Sequence, residues 1–102
     1  MASRLQLQSE FEELLGSTNV YYQPPSNSSI KYPCIIYELS NTNVKSADNK
    51  NYIKTNRYHV KHIYKSLSNE LKDTILDHFM LISHDNRMKV DGLYNDDFTL
   101  FY

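Results

Sequence analysis

The chain has 102 residues, 40% of them hydrophobic, with a formal charge of −1, which suits one domain with one modest core and is too little for two. Near-neutral charge gives no case for bulk attraction to nucleic acid or a membrane surface, and a single cysteine excludes an internal disulfide. No apolar run approaches the roughly 20 residues that cross a bilayer, and the polar, amphipathic first residues lack the apolar stretch of a signal peptide, so the expectation is a soluble protein made inside the cell.

Charge is nonetheless uneven along the chain. Residues 1–30 set Arg4 against three Glu, residues 31–72 set eight Lys or Arg against three acids, and residues 73–102 set two bases against six Asp. A basic middle and an acidic end suit head-to-tail contact between copies, or are no more than bias on a solvated surface.

Ser3 and Gln6 have capping-box spacing, and Leu7, Phe11, Leu14 and Leu15 follow at helical intervals. This predicts a helix over about residues 3–15 with one apolar stripe, ended by Gly16 in the left-handed conformation. Val20, Tyr21 and Tyr22 form a short extended segment closed by Pro24 and Pro25. The longest unbroken apolar run, Cys34-Ile35-Ile36-Tyr37, lies within a strand over residues 32–39 that begins after Pro33 and is expected to be covered on both faces. Cys34 in that run reads as an inert packing thiol.

Residues 40–51 are polar and read as a long loop projecting from the body, with Asn43, Lys45, Asp48, Asn49 and Lys50 along it. The next strand, over about residues 52–64, places Tyr58, Val60, His62 and Tyr64 on one face. Arg57, His59 and Lys61 lie on the other, where Ile63 interrupts the polar pattern. Ser66 or Ser68 caps a second helix reaching about residues 78–81, with Leu67, Leu71, Ile75 and Phe79 stepping by four. Residues 83–90 are a weak strand. Asp91-Gly92 is a turn, a loop runs through Tyr94, Asn95, Asp96 and Asp97, and residues 98–102 are the last strand. The whole is an α+β domain spanning residues 1–102: a four- to five-stranded, mostly antiparallel sheet with two helices packed on one face.

Little in this order carries chemistry. No base lies at local spacing from a nucleophile, and His59 and His62, three apart in a strand, point to opposite faces and cannot share a metal. Two glycines exclude a glycine-rich phosphate loop, and Asp91, Asp96 and Asp97 lack the ligand spacing of an EF-hand. The expectation is a protein that is no enzyme and holds no metal or cofactor. The series Lys54, Arg57, Tyr58, Lys61, Tyr64, Lys65 interleaves bases with aromatics as single-strand binders do, which keeps a small RNA- or single-strand-binding module open as an alternative.

Five blocks in order are more informative: residues 20–25 (VYYQPP), residues 31–37 (KYPCIIY), Ala47-Asp48-Asn49 with Tyr52, residues 57–60 (RYHV) and residues 91–98 (DGLYNDDF). Their sequence and spacing resemble the small tail terminator or head-tail joining proteins of long-tailed bacteriophages, over nearly the whole chain. The resemblance implies a structural virion protein without catalytic residues. It implies a ring, commonly a hexamer, that caps the head-proximal end of the tail tube, ends tube polymerisation and joins tail to head. Its partners are then the major tail tube protein and a head-tail connector, with genomic DNA passing through the lumen without sequence-specific binding and no membrane involved. Its location is the virion neck, after assembly in the host cytoplasm. The polar segment Asn43, Lys45, Asp48, Asn49 and Lys50, together with Arg57 and the acidic Asp91, Asp96 and Asp97, is the candidate contact surface. Another tube or connector subunit of the same fold is the nearest alternative.

Overall fold

The computed structural model describes residues 4–24, 29–46 and 52–102. Helix α1 (Arg4–Leu15) leads into strand β1 (Val20–Tyr22), followed by β2 (Cys34–Ser46), β3 (Tyr52–Tyr64), a 3-10 turn (Leu67–Asn69), α2 (Lys72–His78), β4 (Ile82–Val90) and β5 (Leu93–Phe101). The five strands form one sheet in the order β1-β2-β3-β5-β4, in which only the β1–β2 pair is parallel. The expected α+β architecture is the one observed.

Both helices lie on one face. Alternation along the strands turns Ile35 and Tyr37 of β2, Tyr58 and Val60 of β3, and Phe98 and Leu100 of β5 toward them. Leu7 and Phe11 of α1, with Ile75 of α2 and Phe79 just after it, complete this core. The Phe11 ring sits 5.1 Å from Tyr37 and 5.6 Å from Phe79, joining both helices to the sheet. Each such side chain contributes roughly 1.5–3 kcal/mol by leaving water. Polar bonds fix the angle of α1: the Tyr37 hydroxyl donates to Gln8 Oε1 at 2.6 Å, and Gln8 Nε2 donates to the Val20 carbonyl at 3.0 Å. Gly16 ends α1 at φ +78°, its N–H donating to the Glu12 carbonyl, as its position past the apolar stripe predicts. Ser3 of the expected capping box lies outside the described residues.

Four expectations need correction. The strand around Cys34–Tyr37 is covered fully on one face and only in part on the other: Ile35 and Tyr37 are buried beneath the helices, whereas on the opposite face Cys34 is buried, Ile36 half-buried and Glu38 exposed. Residues 40–46 are not loop but the continuation of β2, paired with β3 through Ser46 opposite Tyr52. Tyr94 to Asp97 are likewise strand, because the two-residue turn Asp91–Gly92, at φ +52° and +78°, is all that a type I′ hairpin needs. The second helix is shorter than its apolar spacing suggests. Ser66 caps the 3-10 turn, accepting from the Ser68 N–H at 3.3 Å, and α2 starts only at Lys72, which leaves Leu67 exposed.

Candidate functional site

The most distinctive feature is a ribbon. β1 pairs with β2 no further than Tyr22 opposite Tyr37, and β5 accompanies β3 only to Phe101 opposite Arg57, after which Tyr102 and Asn56 exchange a last pair of backbone bonds. Beyond that level β2 and β3 continue as a pair alone, from Thr42 opposite Asn56 to Ser46 opposite Tyr52, with no third strand among the described residues. A register shift at Ser40 marks where the ribbon leaves the body. There the Ser40 hydroxyl donates to the Arg57 carbonyl at 2.9 Å and accepts from Arg57 Nε at 3.3 Å. Five residues per strand carry the ribbon on the order of 17 Å past the body. The molecule measures 52 Å along its longest axis against 28 and 22 Å across.

Among the expected contact residues, Asn43 and Lys45 belong to the ribbon and Arg57 stands exposed at its base. Asp48, Asn49 and Lys50 lie outside the described residues. Asp91 occupies the β4–β5 turn, at the end of the sheet away from the ribbon. Asp96 and Asp97, adjacent in sequence, separate onto opposite faces.

Asp97 is on the face without helices. His59 Nε2 lies 3.6 Å and Lys61 Nζ 3.9 Å from its Oδ1, while His59 Nδ1 lies 3.7 Å from Glu38. Glu38, His59 and Lys61, with Ile36 and Ile63, line a cavity of about 310 Å³. The two carboxylates address opposite nitrogens of one imidazole, so they cannot converge with it on one metal ion, and the described residues contain no group of three ligands that could hold one. His59 and His62 point to opposite faces, as their spacing predicts.

Asp96 is fully buried beneath the other face. Its carboxylate accepts from Arg87 Nε at 2.6 Å, Arg87 Nη2 at 3.1 Å and the Tyr64 hydroxyl at 2.7 Å, with His84 Nε2 at 3.2 Å. Arg87 also reaches Glu70 at 3.0 Å. Burial alone pushes the Asp96 carboxyl up, but the bonds from Arg87, Tyr64 and His84 outweigh it and hold the group below its ordinary range. The same bonds, to Asp96 and to Glu70, raise Arg87. Burial, then the bond to Asp96, raises Tyr64. Asp96 is therefore taken up within the subunit and offers nothing to a neighbour.

A one-residue bulge creates this pair. Before it, His84 faces Phe98; after it, Arg87 faces Asp96, where an unshifted ladder would have brought Asn86. Residue spacing along β5 held a usable signal, since Tyr94, Asp96, Phe98 and Leu100 alternate onto one face and put a carboxylate among core residues that demands a cation. Which cation depended on the bulge, which no local pattern announces. His62 lies beside this cluster, fully buried and stacked on Tyr64 at 4.6 Å, with neither nitrogen hydrogen-bonded among the described residues. Burial pushes it down to about 4, so it is neutral.

Tyr58 and Tyr64, the aromatics of the basic series, are buried under the helices, whereas Arg57 and Lys61 are on the opposite face. The bases and the rings do not form one stacking surface. No helix is long and apolar enough to cross a membrane among the described residues. Comparison with known proteins yields no relative: no protein-family model, no curated protein and no solved structure matches the chain.

Proposed function

We propose that this chain is a structural subunit of a bacteriophage neck, assembling into a ring that caps the head-proximal end of the tail tube, ends its polymerisation and joins tail to head. The observation that supports the reading is the ribbon of β2 and β3, which leaves the sheet and extends alone. An isolated two-stranded hairpin is marginal in water, so a ribbon of this length is expected to gain its order from a neighbour that covers it. A subunit with a projecting element on one side and a receptive surface on another associates head to tail, and such contacts close into a ring when the rotation permits. The ordered blocks of the sequence that resemble tail terminators point to the same kind of assembly.

In this reading Asn43, Lys45 and Arg57 belong to the ribbon's half of the contact, and the acidic segment of residues 73–102 supplies the other half. The buried Asp96 stabilises the subunit. The ring's other partners are the major tail tube protein and the connector at the head, and DNA passes through its opening without being read. Such a protein works by binding alone, and its place is the virion, reached from the host cytoplasm.

The test is tube growth. Major tail tube protein polymerised in the presence of this chain should give shorter tubes, each carrying the chain at one end in electron micrographs. An unchanged length distribution with no chain at tube ends would overturn the proposal, and tubes grown from the chain alone would make it a tube subunit instead.

A further inference from the structure

The ribbon needs a seat, and one surface of the body has the shape and charge to be it. The link from α2 to β4 carries two large apolar side chains into water: Met80 is 97% exposed and Leu81 61%, directly after the buried Phe79. With Ile82, Ser83, Thr99 and Phe101 they line a groove of about 300 Å³ at the ribbon's end of the sheet. The groove is preformed, because the Phe101 N–H donates to the Leu81 carbonyl at 2.9 Å and ties the link to β5. Adjoining exposed apolar side chains of this size mark docking surfaces.

Its rim carries a carboxylate on β4, while Arg57 stands opposite Phe101 on β3. Asp85, the bulged residue of β4, accepts from Thr99 Oγ1 at 2.5 Å and from Ser83 Oγ at 3.0 Å, both groove residues, and forms no ion pair with a basic side chain among the described residues. The ribbon has the complementary composition. Its described residues contain Lys45 and Lys54 and no acid, and the register sets one aliphatic residue opposite each lysine, Val44 opposite Lys54 and Ile53 opposite Lys45. An aliphatic side chain for an apolar floor and an ammonium for the carboxylate on its rim is the pairing the groove requires.

The ribbon of the same copy cannot supply it. β3 is bonded to β5 as far as Asn56 opposite Tyr102, beside the groove, and continues paired with β2, so doubling back would break those pairs. We propose that the groove of Met80, Leu81, Ile82 and Phe101, with Asp85 on its rim, seats the ribbon of a second copy of this chain. The inference rests on the ring reading only in that copies associate head to tail.

Analytical ultracentrifugation of the full chain tests it. Because Met80 and Leu81 are exposed, Met80→Asp/Leu81→Asp should keep the wild-type melting curve while weakening self-association at least tenfold. Asp85→Lys should weaken it too, and adding Lys45→Asp and Lys54→Asp to Asp85→Lys should restore it. A mixture of the groove variant with a ribbon-shortened chain should stop at a 1:1 complex, since the first retains only its ribbon and the second only its groove. Wild-type assembly by the groove variant would overturn the seat and leave the ring reading standing. A wild-type chain that stays monomeric at every concentration would overturn both.

Discussion

Removing Arg87 isolates the contribution of the buried pair. In Arg87→Ala the Asp96 carboxylate keeps its bonds to Tyr64 and His84 but loses both guanidinium contacts. Stripping one partner from a buried ion pair costs about 3–5 kcal/mol. The Arg87 side chain is 31% exposed, so water screens part of its attraction, and the two surviving bonds blunt the loss further. The expected destabilisation is therefore about 2–3 kcal/mol, a large share of a total stability of roughly 5–15. Urea denaturation at pH 7 should show the midpoint falling with an unchanged slope. Adding Asp96→Asn should recover part of the loss, because an amide still accepts from Tyr64 and bears no charge. The pH dependence carries a sign. In the wild type Asp96 titrates below its unfolded value, so its stabilisation is complete above that value and is lost as pH falls through the folded one. Without Arg87 the largest opposition to burial is gone, so the carboxyl's titration moves upward and the penalty of the substitution should shrink on acidification. A loss below about 1 kcal/mol, or one that does not shrink in acid, would refute the account of Asp96 as a charge held in place by Arg87.

Ile35→Asp, in the dry core, should abolish cooperative folding, whereas Ile36→Asp on the half-covered face should leave a folded protein; equal damage in thermal melts would contradict the one-sided sheet. His62, folded near 4 against an ordinary 6.5, binds fewer protons than the unfolded chain between those values, so it removes about 3 kcal/mol as pH falls across that window. It is faced by Asp96, Arg87, Glu70 and Tyr64, and His62→Leu should flatten the acid limb of the stability curve between pH 6.5 and 4. Cys34, buried and pushed up to about 11, should react with a thiol reagent only as fast as the chain opens, and rapid labelling of native protein would count against its burial. Replacing residues 43–55 by Asn-Gly, between the paired Thr42 and Asn56, should change stability by under about 1 kcal/mol while stopping self-association.

Where a periodic pattern matched a half-buried element, the fold was legible. The stripe of Leu7 and Phe11 and the alternation of Tyr58, Val60, His62 and Tyr64 correspond to what the structure buries, and Gly16 ends the helix at positive φ as expected. Misreadings arose where composition and pattern disagreed. Asn95, Asp96 and Asp97 look like loop residues, yet the alternation beneath them is that of a strand, and the Arg87 pair is what lets a carboxylate occupy its inward position. Leu67 and Leu71 continue the helical spacing of Ile75 and Phe79. The cap formed by Ser66 closes a 3-10 turn first, and Leu67 is left in water. Cys34-Ile35-Ile36-Tyr37 is unbroken in apolarity although the sheet has helices on only one side, so the run overstated the covering of Ile36.

The ribbon is the feature least visible in the sequence, and the reason bears on how it works. Residues 41–46 and 52–56 carry no strict alternation of apolar and polar side chains, so nothing in their side chains distinguishes one register from the next. Their register is inherited from the body, where Cys34 faces Ile63 and Tyr37 faces Val60 and a slip would expose the core. Pairing then propagates outward, past the shift at Ser40, into residues that alone would read as loop. A strand pair specified from below needs no apolar face of its own. Among the described residues no third strand pairs with its backbone edges. Removing the ribbon should therefore leave the body's register and core intact, whereas shifting that register would dismantle ribbon and body together.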